Sequence, residues 1–591
     1  MLAAGISLAA QTPSLGRISF PTSGSAQAQA PFIRGVLLLH SFEYDDAIEA
    51  FREAQRIDPG FAMAYWGEAL SFNQPLWRHE ELARARAALA KLGPTAAARG
   101  ARAPTVREKA YLDAVERLFG DGAKAARDRA YAERMGQLTQ ANPADDEAAV
   151  FHALALLATI PENERNAAVS LQAGAIATGI LKRNPQHPGA AHYALHAFDD
   201  GEHAAMGLDA ARTYARIAPA SSHARHMPSH IFLPLGMWDE AVASDESSFA
   251  ASVDRVKRQG LSMAQADFHS LSWLHYEYLQ QGRFAKARDV MQTVERAIAA
   301  SAPGTAKAVP YGAEPYSAVP YSAVPYGAVP YGAVPYGAAP YSAAPYDPSR
   351  PVPRTLTAQP TPPTSPALRA PPASHDHVES EIGRGFGPVS LKSELASMRA
   401  RLVIESGAWG AMKGVGSFDN IDELFALGMA SVRLRDARRA EAALEHLGTA
   451  SKTVPDRDAR EIAQIMGAEL DGLLRLSRRD RAGALAALAR ATALEAKRPR
   501  PVARPYPIKP AAELYAETLL SAGDPAAAVV QFQAALMRTP RRAASLLGLA
   551  RAAQKTGHRA ESAEAAKDFL AAWHLADTDR PELAEARALA R

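Results

Sequence analysis

Two His-x-x-x-His pairs, His192/His196 and His226/His230, are the residues of this chain best suited to do chemistry. Side chains four apart share one helix face with Cβ atoms about 5–6 Å apart. Each pair is therefore a two-pronged clip of imidazole nitrogens, and two clips on neighbouring helices could face one ion. Asp199 or Asp200 could complete the shell or orient a ligating ring. Neutral imidazole and carboxylate without thiolate suit Zn, Fe, Cu or Ni and do not suit Mg or Ca; the chain has no cysteine. His203, His223, His269 and Tyr276 are further candidate ligands or contacts. Nine of the 17 histidines fall between His187 and His275, so the crowding needs a cause.

The elements that must position these rings are helices. Gly236-Met237-Trp238-Asp239-Glu240-Ala241 follows an apolar stretch and has the grammar of a turn between paired helices. The same grammar recurs from Phe42 to Ala47, from Gly282 to Ala287, and from Gly523 into Phe532, Ala535 and Pro540. Each Pro ends a second helix, because it lacks the N–H and restricts the residue before it. On these residues the chain resembles the tetratricopeptide repeat (TPR) family. The resemblance implies an all-α solenoid of helical hairpins with a concave groove, in which positions 2, 5, 9, 12 and 13 of each first helix face the groove. Placing Gly236 at position 15 puts His223, His226 and His230 at 2, 5 and 9. Counting from Pro219 puts His192, His196, Asp199 and Asp200 at 5, 9, 12 and 13. His269 falls at 2 of the next repeat, with Ser272 at 5 and Tyr276 at 9.

The chain as a whole resembles a bacterial group of such proteins with no assigned activity. That likeness rests on Leu39-His40-Ser41-Phe42, Ala64-Tyr65-Trp66-Gly67, the His192–His203 segment, the His223–Gly236 segment and Asp579–Ala584.

Two functional readings follow. The leading one, which the fold supports directly, is a scaffold whose groove binds a peptide or protein partner, its histidines serving as hydrogen-bonding and stacking contacts. In the other it binds a metal, and is conceivably a metalloenzyme, through His192, His196, His226 and His230. No catalytic motif supports a particular reaction: there is no His-Glu-x-x-His, no cysteine nucleophile and no Gly-rich phosphate loop. Ser222 and Ser229 flank the cluster without a nucleophile elbow. His275 at position 8 reads as core, His187 before Pro188 as a solvated turn residue, and His40 as lying outside the site.

Composition sets the outer bounds. A net charge of +3 from 66 basic and 63 acidic residues gives no case for nucleic acid. No run is long enough and apolar enough to span a bilayer. Residues 1–30 read as a leader, with Ala28-Gln29-Ala30 a cleavage-like site for export; the alternative is an unstructured cytoplasmic leader. Residues 31–300 form the histidine-bearing solenoid, and 301–375 a Pro-Tyr linker that repeats units such as Val319-Pro320-Tyr321-Ser322-Ala323 and cannot bury a core. Residues 376–591 form a second set of helical hairpins whose groove positions carry Glu513, Glu517 and Arg551, while His375 and His377 read as linker residues.

Overall fold

A computed structural model describes residues 15–161, 164–300, 388–416 and 420–591. The Pro-Tyr linker, His375 and His377 lie outside the described residues, as do residues 1–14 of the expected leader. The described chain is built from antiparallel helical hairpins, with a single two-residue strand pair, Asn73–Gln74 with His79–Glu80. No described helix is long and apolar enough to cross a membrane.

One backbone device repeats along both halves. Phe42, Gly236, Gly282, Arg435, Arg479, Gly523 and Gly557 all have positive φ, between 58° and 84°. Each sits between the helices of a hairpin. The next residue's N–H bonds a carbonyl five residues back, as in Glu43 to Leu38, Met237 to Phe232, Asp480 to Arg475 and Asp524 to Leu519. This is the Schellman closure, which satisfies carbonyls left open at a helix end. Gly236 has a further reason to be glycine, since a Cβ there would lie 2.5 Å from the Pro540 carbonyl oxygen. Asp436, Asp480 and Asp524 then cap the second helices, each accepting from the N–H three residues on.

Small residues let the helices close. The Phe51 ring fills the space that a Cβ on Gly35 or Gly67 would occupy, and Phe532 does the same against Gly548. At the amino end Phe20 packs among Phe32, Trp66 and Tyr111 with ring centroids 5.1–5.7 Å apart. The chain before the first hairpin is thus drawn into the core. The cleavage-like Ala28-Gln29-Ala30 lies inside the helix Ala26–His40, with Ala28 buried.

The two helical halves belong to one compact unit. Leu233, Trp238, Phe268 and Phe284 share a hydrophobic cluster with Leu391, Leu546, Phe569 and Trp573. The C-terminal repeats meet the first half edge to edge: the Trp238 indole N–H donates to Arg541 O at 3.0 Å, and Asp577 N–H to Gly282 O at 3.1 Å. At this contact the Arg542 guanidinium, fully buried, pairs with Glu405 at 2.7 Å and Glu513 at 2.8 Å and donates to the Tyr276 hydroxyl at 3.2 Å. Glu513 is thus an internal counter-charge and not the groove lining its repeat position suggests. Glu517 pairs with Lys509 and Arg551 with Glu585.

Candidate metal centres

The histidines form two separate trios, each repeating the same positions. His192 and His196, on the helix Pro188–Ala197, meet His223 on Ser222–His226. His226 and His230, the latter on Ser229–Phe232, meet His269 on Phe268–Gln280. In repeat coordinates each trio is positions 5 and 9 of one first helix with position 2 of the next. One ligand nitrogen from each ring lies within 4.8 Å of the others in both trios. The two clips, expected from their spacing to face one point, instead fall in separate trios. Stacked helix axes stand about 8–10 Å apart, so each clip closes on the nearest ring of the following helix.

In the first trio Nε2 of His192 lies 2.9 Å from Nε2 of His223 and 3.0 Å from Nε2 of His196. The other nitrogen of His192, Nδ1, is 2.6 Å from the His40 carbonyl oxygen. A carbonyl only accepts, so Nδ1 carries the proton and Nε2 of the neutral ring is a bare lone pair. Tyr214 stacks on His192 at 5.1 Å and Phe42 stacks on both His196 and His223 at 5.6 Å.

The second trio is oriented by carboxylates. His230 Nδ1 lies 2.7 Å from Asp199 Oδ2, and His226 Nδ1 2.5 Å from Asp245 Oδ1. Their Nε2 atoms then face one another at 3.0 Å. Trp273 stacks over His230 at 4.4 Å, and His269 meets His226 edge-on at 4.7 Å. Asp245 is buried against Glu277. Burial raises both carboxyls, Glu277 to about 8, so the pair keeps a proton at neutral pH.

Burial, reinforced by neighbouring imidazoles, holds His192, His196, His226 and His269 well below the usual histidine range and His223 at about 3. In His192, His226 and His230 the second nitrogen is bonded to a carbonyl or carboxylate, the arrangement that fixes a metal-binding tautomer.

A third cluster behaves differently. His40 Nε2 lies 2.8 Å from Glu147 and His187 Nε2 3.1 Å from the other oxygen of the same carboxylate. His187 Nδ1 accepts from Ala190 N–H at 3.3 Å, which leaves its Nε2 facing the Glu147 carboxylate as an ion-pair contact and not a hydrogen bond. His40 Nδ1 meets the Tyr193 hydroxyl at 3.0 Å. The His40 ring is thus held at both nitrogens, and its carbonyl sits under His192. His187 is thus a buried helix cap, not a solvated turn residue, because its ring folds back over the first turn of its own helix.

The remaining candidates fall outside the trios. Asp200 accepts from His203 Nδ1 at 2.8 Å in a loop, apart from the ligand nitrogens. Tyr276 is committed to Arg542. His275 is fully buried, and neither ring nitrogen has a hydrogen-bond partner among the described residues. Ser229 donates to the His226 carbonyl at 2.8 Å. Sequence reasoning misses Asp245 and Glu277. Asp245 sits in Ser244-Asp245-Glu246-Ser247, which looks like a solvated stretch, and only the stacking of two helices turns it inward.

No family model matches the chain, and no curated protein matches it in sequence. Solved structures similar to it include the TPR domain of P58(IPK), 10% identical over 90% of this chain and 99% of that one, with a TM-score of 0.22. The Cut9–Hcn1 hetero-tetramer of the APC/C is 12% identical over 97% and 77%, at 0.28. The human IFIT1 dimer with m7Gppp-AAAA is 10% identical over 94% and 91%, at 0.29. These likenesses carry no argument about what this chain binds, and its fold assignment rests on its own helix pairing.

Proposed function

We propose that this helical-repeat scaffold is a metal-binding protein, holding a first-row transition metal (Zn, Fe, Cu or Ni) in three-imidazole pockets. The observation that carries the reading is the crowding at His192. Its Nε2 is a bare lone pair, yet two further ring nitrogens approach it within 3.0 Å. One lone pair accepts one good hydrogen bond, and protonating a ring here is opposed by burial. A cation at the meeting point of the three nitrogens removes the conflict. His226 and His230 present the same problem when both Nδ1 atoms donate to carboxylates. Three neutral imidazoles suit these metals, and three protein ligands leave a coordination position open for water or a small ligand.

The peptide-groove reading has less support at this place. The ring-bearing positions are stacked on by Phe42, Tyr214 and Trp273, and five of the six imidazoles are buried.

Elemental analysis of protein purified without an affinity tag or chelator, beside His226→Ala/His230→Ala, tests the proposal. Near-stoichiometric transition metal in the parent and a loss of metal in the variant are expected. No metal in either, even after incubation with Zn, Fe or Cu salts, overturns it.

A further inference from the structure

The two trios are related by more than composition. Each takes positions 5 and 9 of one first helix and position 2 of the next, and the series stops on both sides for visible reasons. In the following repeat, positions 5 and 9 are Ser272 and Tyr276. In the preceding one, counted from Pro143, they are Val150 and Leu154, and position 2 of the helix after it is Gly189. A Cβ on Gly189 would lie 2.3 Å from His40 Nδ1, so that place belongs to the hydrogen-bonded network. The trios are also tied together. His223 and His226 are three residues apart on one helical face, yet serve different trios. Asp199, one turn beyond His196 of the first trio, holds His230 of the second at 2.7 Å. Charge on His196 or His223 bears directly on His226.

We infer that these are two copies of one site generated by the repeat, so that the protein carries a pair of transition-metal ions about one helix spacing apart, roughly 8–10 Å. The inference rests on the metal reading above and goes beyond it in stoichiometry and placement. Neither ligand set contains a carboxylate, and none of the six ligand rings is shared. The ions are therefore held separately, each with its own open position, and not bridged by a protein side chain. The helix turn His223-Ala224-Arg225-His226 links them covalently. The expected pair is thus two three-imidazole centres with the same ligand set and different supporting partners.

Copper(II) is the probe, because it is paramagnetic and suits three imidazoles. Chelator-stripped full-length protein is loaded to saturation, its copper content measured, and its electron paramagnetic resonance spectrum recorded. His192→Ala/His196→Ala leaves the second trio, and His230→Ala/His269→Ala leaves the first. We expect two coppers per chain in the parent and one in each variant. The parent lines should be broadened by dipolar interaction, and those of the variants sharp. If a variant does not fold, the parent with a small fraction of one equivalent of copper supplies the isolated-ion spectrum. One copper per chain at saturation, or a two-copper spectrum equal to the sum of two isolated ions, overturns the pair. Failure to bind copper, zinc or iron at all overturns the metal reading itself, and is distinguishable from either result.

Discussion

His223 and His275 offer a matched test, because burial holds both at about 3 but only His223 belongs to a trio. The perturbation is acidification from pH 7 to pH 5 with chelator present. Both folded values lie below the unfolded value of about 6.5, so the unfolded chain takes up these protons first as pH falls. Stability from each ring is intact above about pH 6.5 and drains away as pH falls toward 3. At pH 5 the unfolded ring is almost fully protonated and the folded one almost not at all. Over this step the unfolded state gains about 2 kcal/mol per ring, near 1.4 kcal/mol for each pH unit below 6.5. Against a typical total of about 5–15 kcal/mol, two such rings make the stripped protein measurably acid-labile. Urea denaturation followed by helix circular dichroism at both pH values reads the difference. His223→Gln and His275→Leu should each shrink the pH 7-to-5 loss by about 2 kcal/mol. At pH 7, added zinc should then raise the midpoint of the parent and of His275→Leu by similar amounts, and that of His223→Gln by less. If neither variant changes the pH dependence, the neutral-buried account of these rings is wrong. If zinc stabilises His223→Gln as much as the parent, His223 is not a ligand.

Other perturbations probe the supports. Asp199→Asn keeps the shape beside His230 but removes the charge, and should weaken metal binding at the second trio about 10–100-fold; a copper titration should show one site weakened and the other kept. Arg542→Ala removes the ion pair of buried Glu405 and leaves Glu513 with Lys509 alone, and should destabilise by about 3–5 kcal/mol; a urea midpoint close to the parent's would show that the contact between the halves rests on its apolar cluster alone. Gly236→Ala meets both a φ of +66° and a carbonyl at 2.5 Å, whereas Gly557→Ala meets only a φ of +82° with open space around it. The second should lose about 1–2 kcal/mol and the first clearly more, and equal losses in thermal unfolding would refute the close contact with Pro540.

Much of this architecture is written locally. Hairpin turns at Gly236, Gly282 and Gly523 are visible because glycine marks the left-handed closure of a helix. The equivalent turns at Arg435 and Arg479 carry the same conformation on arginine and leave no such mark. The His-x-x-x-His clips are legible because residues four apart share a helix face whatever surrounds the helix. Repeat numbering also brings His223 and His269 to position 2. Their partners, however, depend on the step from one helix to the next, which is a distance in space and has no counterpart along the chain.

The sequence by itself thus determined the helical-hairpin class and the two clips, since helix periodicity and turn closure act over a few residues. Tertiary stacking alone decided that each clip takes its third imidazole from the following helix. It also turned Asp245 and Glu277 inward beside His226, and it buried His187 against Glu147. Only the stacking of neighbouring C-terminal hairpins made Glu513 the counter-charge of Arg542. The reason is common to all four: burial and pairing depend on which surfaces the stacked hairpins bring together, and residues far apart in the chain supply them.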